Sequence, residues 1–107
     1  MQSKIVVVCG SVRFMDRILE MSERLELEEG YVVIGMLPHV VDRDLTDGER
    51  AKLNALHLAK IDLADAIFVV NVGGYIGSRV KAEIEYARGK GKEILFLEKT
   101  DLAATIF

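Results

Sequence analysis

The chain has 107 residues, of which half are hydrophobic and 29% are charged, with a formal net charge of −3. This length corresponds to a single domain, residues 1–107, built around one core. Basic and acidic residues are interspersed, which excludes the massed basic surface of a nucleic-acid-binding protein. The composition leaves room for a small anionic ligand held by one or two arginines and backbone N–H groups.

Hydrophobic segments in this chain are all too short for a secretory signal peptide or a membrane span. Cys9 is the single cysteine, so no intrachain disulfide is expected and the residue is predicted to be a small, unreactive part of the core. We therefore expect a cytoplasmic protein with no membrane association. A domain this short covers its own core poorly, so we also expect a homodimer or a higher homo-oligomer.

Four apolar runs have the composition of strands buried on both faces, at residues 4–9, 31–36, 66–71 and 93–97. Helical patterns separate them. This alternation predicts an α/β fold with a parallel sheet of four or five strands and helices on both faces. Residues 100–107 fit either a short helix or a further strand.

The three predicted helices have recognisable ends. The first ends at Gly30, and the third covers about residues 78–88. The second begins at a sequence that resembles a capping box, residues 46–49, and runs to about Leu63. For this second helix we expect Leu53, Leu56 and Leu63 to face the core.

Ligands of parallel α/β sheets bind beyond the carboxyl ends of the strands. Three segments are predicted to meet there: residues 9–13, the polar segment 37–48, and residues 71–83. In the first of them, Gly10 permits close approach to the backbone, while a helix N-terminus and Arg13 offer donors to an anion. The alternative is that Ser11 is an ordinary N-cap and Arg13 a solvated side chain.

Gly73, Gly74 and Gly77 lie between the third strand and its helix. Three glycines in five residues exceed what a turn needs and favour close approach of a ligand, although a mobile turn with a helix entry at Gly77 and Ser78 is the alternative. The next helix then places Glu83 among apolar neighbours. An inward carboxylate at this edge indicates either chemistry or a favourable interaction with the helix dipole.

Two histidines complete the set of candidate polar residues. His57 lies in the middle of the second helix and His39 lies in the polar segment, where each has an ordinary structural explanation. Neither has a partner at metal-ligand spacing. The sequence therefore predicts no metal site and no cofactor.

Several motifs resemble those of one superfamily. Cys-Gly-Ser-x-Arg at residues 9–13 resembles the opening of the 2'-deoxynucleoside 5'-phosphate N-hydrolases. Residues 64–70, the glycine-rich loop and residues 82–87 resemble the core of the nucleoside 2-deoxyribosyltransferase superfamily. The resemblance spans nearly the whole chain. It implies a flavodoxin-like (Rossmann-like) three-layer fold, usually in a dimer whose neighbouring subunit completes each site.

In that superfamily, a glutamate after the glycine-rich loop attacks the anomeric carbon of the sugar, and the matching position here is Glu83. The resemblance implies cleavage or transfer of the N-glycosidic bond of a nucleoside or nucleoside monophosphate through this carboxylate, which stabilises or traps the positive charge that builds on the sugar. The candidate substrate-binding residues are Gly10, Ser11, Arg13, His39, His57, Gly74, Gly77 and Ser78.

Two features depart from the family pattern. An aspartate that helps to hold the carboxylate is replaced by His57, and the loop at residues 72–78 differs from the N-hydrolase form. Two other functions therefore stay open. One is a module that binds a nucleotide without cleaving it, and the other is a glycohydrolase acting on NAD or ADP-ribose compounds.

Overall fold

A computed structural model describes residues 3–36 and 44–99 of the chain. The strands are β1 (Ile5–Gly10), β2 (Val32–Ile34), β3 (Ala66–Val70) and β4 (Glu93–Phe96). The helices are α1 (Met15–Glu29), α2 (Asp47–Leu63) and α3 (Ser78–Gly89). Short 3₁₀ turns, Val12–Phe14 and Val72–Gly74, follow β1 and β3.

The four strands form one parallel sheet in the order β2-β1-β3-β4. At its centre, Val7 of β1 lies opposite Ile34 of β2 and Ile67 of β3. Both central strands are covered on both faces, which explains their unbroken apolar sequences. The predicted α/β fold with a parallel sheet is confirmed, and its strand order is that of a flavodoxin-like sheet.

Alternating side chains of the strands build two separate cores, one on each face of the sheet. On one face, Ile18, Met21 and Leu25 of α1 pack against even-numbered β1 residues and against β3. On the other, Ile61 of α2 and the buried side of α3 pack against Val7, Cys9 and neighbouring strand residues. The arrangement is a three-layer sandwich, and Cys9 points toward the α2 and α3 layer.

Two predicted helix ends are confirmed. At the start of α2, Thr46 Oγ1 accepts from the backbone N–H of Glu49, and the Glu49 carboxylate accepts from the backbone N–H of Thr46. These two bonds form the capping box and fix the first turn. At the end of α1, Gly30 adopts a left-handed conformation with φ of 70°.

The predicted core face of α2 is wrong. Leu53, Leu56 and Leu63 are 52%, 50% and 70% exposed, whereas His57 and Ile61 are the buried residues of this helix. The helix carries apolar residues on two sides, and the sequence pattern alone favours the more leucine-rich side. The chain instead turns the side with His57 toward the sheet, which leaves a stripe of leucines on the surface.

None of the helices in the described ranges has the length and apolar character needed to cross a membrane. The segment at residues 100–107, for which the sequence left helix and strand open, lies outside the described residues.

Candidate active site

The candidate site lies at the carboxyl ends of β1 and β3, between which the strand order reverses direction. Gly10 ends β1 and is buried. A Cβ atom at this position would lie 3.1 Å from Ile18 Cδ1 and 3.3 Å from Val70 Cβ, so glycine allows α1 to pack closely over the strand ends. This packing role explains Gly10 without a ligand.

Glu83 is positioned by α3, which starts immediately after the glycine-rich loop. The buried side of this helix consists of Val80, Glu83, Ile84 and Ala87, and only 3% of Glu83 is exposed. The apolar neighbours hold the helix against the sheet, and Glu83 therefore projects into the space between α3 and α2. A carboxylate buried in this way requires compensating partners.

Arg79 supplies one partner. Its Nη1 atom donates to Oε2 of Glu83 at 3.2 Å, and its Nη2 atom donates to the carbonyl oxygen of Gly10 at 2.9 Å. One guanidinium thus fixes the carboxylate relative to the end of β1 and balances its charge. Arg79 was not among the predicted site residues, although its position four residues before Glu83 on one helix was a signal for such a pair.

His57 and Cys9 lie on the other side of the carboxylate. His57 Nε2 is 3.4 Å from Oε1 of Glu83 and 3.4 Å from the Sγ atom of Cys9. All three side chains are buried. The fold brings together residues from β1, α2 and α3 that are separated by dozens of positions in the sequence.

Burial raises the pKa of the Cys9 thiol well above its ordinary value, and the negative charge of Glu83 raises it further. Arg79 opposes this effect in part. The thiol is therefore protonated at neutral pH and is not a nucleophile, because the thiolate is the reactive form.

Oε1 of Glu83 has no hydrogen-bond partner among the described residues, although it is buried. Buried polar atoms in folded proteins are nearly always hydrogen-bonded, so this oxygen is an exception. The two oxygens of Glu83 thus differ, since Oε2 accepts from Arg79, whereas Oε1 lies beside His57 without a hydrogen bond.

An open groove of about 440 Å³ runs between α2 and α3 and leads to Glu83. Its volume falls within the usual range of small-molecule sites, roughly 300–1,000 Å³. Its lining residues are Asn54 and Leu58 of α2 and Ser78, Arg79, Ala82, Glu83 and Tyr86 of α3.

A second cluster joins the first loop to the glycine-rich loop. The Arg13 guanidinium lies 4.2 Å from the ring centroid of Tyr75, and Phe14 packs edge-on against the same ring. Ser11 caps the 3₁₀ turn, and its Oγ accepts weakly from the Arg13 backbone N–H at 3.4 Å. The stacking on Tyr75 orients Arg13, whose side chain stays exposed.

The glycine-rich loop is anchored by Asn71, which was not among the predicted site residues. The Asn71 side chain is fully buried and makes two 2.9 Å hydrogen bonds to the backbone of Glu98. The Gly73 N–H donates to the Glu98 carboxylate at 2.8 Å. Gly73 and Gly74 both have positive φ, which explains glycine at these two positions. The signal for Asn71 was a polar residue at the end of an apolar strand.

The predicted site residues thus fall into distinct groups. His57 touches Glu83, Gly10 is linked to Glu83 through Arg79, and Ser78 lines the same groove. Ser11 and Arg13 belong to the Tyr75 cluster, where the missing Cβ of Gly77 also faces the Tyr75 hydroxyl. Gly74 lies in an exposed turn. His39 lies outside the described residues.

Within the described part of the chain, Cys9, His57 and Glu83 form one group whose sulfur, nitrogen and oxygen atoms all lie within 4.8 Å of one another. Spacing along the sequence gave no hint of this group, because each residue comes from a different element.

Searches of protein-family models, of curated proteins and of solved structures give no significant match to this chain.

Proposed function

We propose that this protein cleaves or transfers the N-glycosidic bond of a nucleoside or nucleoside monophosphate, with Glu83 as the nucleophile. The observation that carries the proposal is the buried carboxylate of Glu83, which lines a groove and has one oxygen held by Arg79 and the other without a hydrogen bond. Such a group is preorganised to meet positive charge as it develops on a sugar.

In the proposed reaction, Oε1 of Glu83 forms a bond to the anomeric carbon while the bond from that carbon to the base nitrogen breaks. The base leaves with the electron pair and takes up a proton from solvent. Water, or the base of a second nucleoside, then attacks the anomeric carbon and releases Glu83, as in retaining glycosidases. Arg79 keeps Oε2 in place during both steps and prevents the carboxylate from rotating.

His57 takes the place of the family aspartate in this scheme. Its Nε2 atom lies beside the attacking oxygen, at 3.4 Å. We assign it the role of general base, which accepts the proton of the attacking water and is within the ordinary chemistry of histidine.

For a nucleoside monophosphate, we place the phosphate toward the N-terminus of α3 and Arg13. Gly77 precedes α3 without a side-chain cap, so the first N–H groups of the helix are open to an anion. Arg13, stacked on Tyr75, adds a positive charge from the neighbouring loop.

We also propose that the protein is a cytoplasmic homodimer. Leu53, Leu56 and Leu63 form a surface stripe along α2, here called the leucine stripe. In a symmetric dimer, the leucine stripe of one copy would contact the same stripe of the other copy across a two-fold axis. Burial of these side chains against a second copy removes a contiguous apolar surface from water.

The proposal is tested by incubating the protein with a panel of ribo- and deoxyribonucleosides and their 5'-monophosphates, followed by chromatography for free base. We expect base release from at least one member of the panel, and a Glu83→Gln variant to lose it. Absence of release or transfer across the whole panel, by a folded and reduced protein, would contradict the proposal.

One feature favours the second candidate function, a module that binds a nucleotide without cleaving it. His57 stands where the family carries an acid, and it fills space beside Oε1. That function predicts saturable nucleotide binding without any free base. Including NAD in the panel tests the third candidate, because a glycohydrolase of that class would release nicotinamide.

A further inference from the structure

We infer that Cys9, His57 and Glu83 form a binding site for one thiophilic divalent cation of the zinc class. The site goes beyond the proposed function, and its geometry does not depend on it. The sequence predicted no metal site, because none of the three residues has a neighbour at metal-ligand spacing. The fold instead brings together a buried sulfur, nitrogen and oxygen that all lie within 4.8 Å of one another.

Two of the three distances between ligand atoms fit tetrahedral zinc. Bonds of about 2.3 Å to sulfur and about 2.0–2.2 Å to nitrogen and oxygen give tetrahedral edges of roughly 3.5 Å between sulfur and nitrogen and roughly 3.4 Å between nitrogen and oxygen. In the structure, Cys9 Sγ to His57 Nε2 is 3.4 Å, and His57 Nε2 to Glu83 Oε1 is 3.4 Å. Both edges are thus already set without movement of the backbone.

The unpartnered oxygen is the second observation. Oε1 of Glu83 faces His57 and lacks a hydrogen bond, whereas Oε2 is occupied by Arg79. This is the pattern of a monodentate carboxylate ligand, in which the second oxygen is held by an outer partner. Arg79 is not a ligand, and its side chain is 37% exposed, so water screens part of its positive charge.

When the cation binds, the Cys9 thiol loses its proton to solvent, and the resulting thiolate becomes a ligand. Three protein ligands leave a fourth tetrahedral position, as in zinc sites that stay open to water or substrate. The groove lined by Arg79 and Glu83 lies beside this site. A cation on Oε1 removes the oxygen that the proposed mechanism needs, so the bound cation is expected to inhibit base release. Only this last consequence rests on the proposed function.

The test uses the full chain, freed of metal and kept reduced with a phosphine, and titrates it with Co²⁺ as a spectroscopic substitute for Zn²⁺. We expect one equivalent of Co²⁺ to produce a thiolate-to-cobalt charge-transfer band together with the visible bands of tetrahedral cobalt. Zn²⁺ should then abolish both, because it binds such sites more tightly.

Variants assign the ligands. Cys9→Ala should lose the charge-transfer band, while His57→Gln and Glu83→Gln should weaken cobalt binding by about tenfold or more. Glu85→Gln is the matched control, since Glu85 lies on the same helix, pairs with Arg88 on the surface and should leave binding unchanged. Circular dichroism checks that each variant is folded.

Absence of the charge-transfer band in the folded parent would overturn the inference. So would a titration that is the same in the parent and in His57→Gln, because the cation would then bind elsewhere. Different results contradict the metal site and the proposed function. Cobalt binding without any base release contradicts only the proposed function, and base release without cobalt binding contradicts only the metal site.

Discussion

The Nε2 atom of His57 lies 3.4 Å from Oε1 of Glu83, across the contact between α2 and α3. Both side chains are more than nine-tenths buried, so their interaction is little weakened by water. Oε1 is the oxygen that we assign to attack the sugar. A change at His57 should therefore affect the chemical step before it affects the fold.

Replacing His57 with Gln tests this relationship. The glutamine amide reaches about the same position as Nε2 but does not accept a proton at neutral pH. We expect base release to fall by about 100-fold or more, within the range that general acid–base catalysis contributes. The measurement is the steady-state rate of base release. An unchanged rate would show that His57 has no part in the reaction.

Arg79→Met tests the role of the guanidinium that holds Glu83. Removing it leaves a buried carboxylate without its cation, and we expect the free energy of unfolding to fall by about 1–3 kcal/mol. Arg17→Met is the matched control, because Arg17 is equally exposed, at 38%, but pairs with the surface residue Glu20. That change should cost less than about 1 kcal/mol. Urea unfolding compares the two, and equal losses would contradict a special role for Arg79.

The pH dependence of stability tests the protonated state of Cys9. Burial, and then the charge of Glu83, raises the pKa of this thiol in the folded chain. Above about pH 8.5 the unfolded chain loses a proton that the folded chain keeps. The free energy of unfolding should therefore decrease as the pH rises, by at most about 1.4 kcal/mol per pH unit from this one group.

Urea unfolding between about pH 8 and 9.5 measures this slope. Cys9→Ala should show a shallower decrease than the parent. Lys4 and Tyr86, whose pKa values are also raised, contribute equally in the parent and in the variant, so the difference between the two slopes reports Cys9. If the free energy of unfolding changed equally with pH in the parent and in the variant, folding would not raise the pKa of Cys9.

The leucine stripe is the proposed dimer interface, and a substitution in it tests the oligomeric state. Leu56→Lys introduces a charge at the centre of the stripe, and we expect light scattering at micromolar concentration to show a dimeric parent and a monomeric variant. Leu27→Lys is the control, since Leu27 is also exposed but lies on α1. A monomeric parent, or a variant that stays dimeric, would remove the stripe from the interface.

The sheet was predictable from sequence because strands buried on both faces require unbroken apolar runs, such as Val6 to Cys9 in β1. The capping box and Gly30 were predictable because each marks a helix end by local chemistry. The core face of α2 was not. This helix has two apolar sides, and in the folded chain the side with His57 packs against the sheet.

The site was predictable only in part for a similar reason. Glu83 drew attention through its apolar neighbours on one helix, which is local information. The contacts of Cys9 with His57, and of Arg79 with the carbonyl oxygen of Gly10, join residues that are far apart in the chain. Such contacts depend on how the layers pack, and no spacing along the sequence encodes them.

The most direct test of the central claim compares the base-release rates of Glu83→Gln, Glu85→Gln and the parent on the best substrate of the nucleotide panel. Glutamine keeps the shape of Glu83 but removes the charge and the attacking oxygen. We expect Glu83→Gln to lose about 1,000-fold or more of the rate, since a nucleophile and its electrostatic stabilisation are both removed. Glu85→Gln should act like the parent. A folded Glu83→Gln protein that releases base as fast as the parent would contradict the claim that Glu83 is the nucleophile.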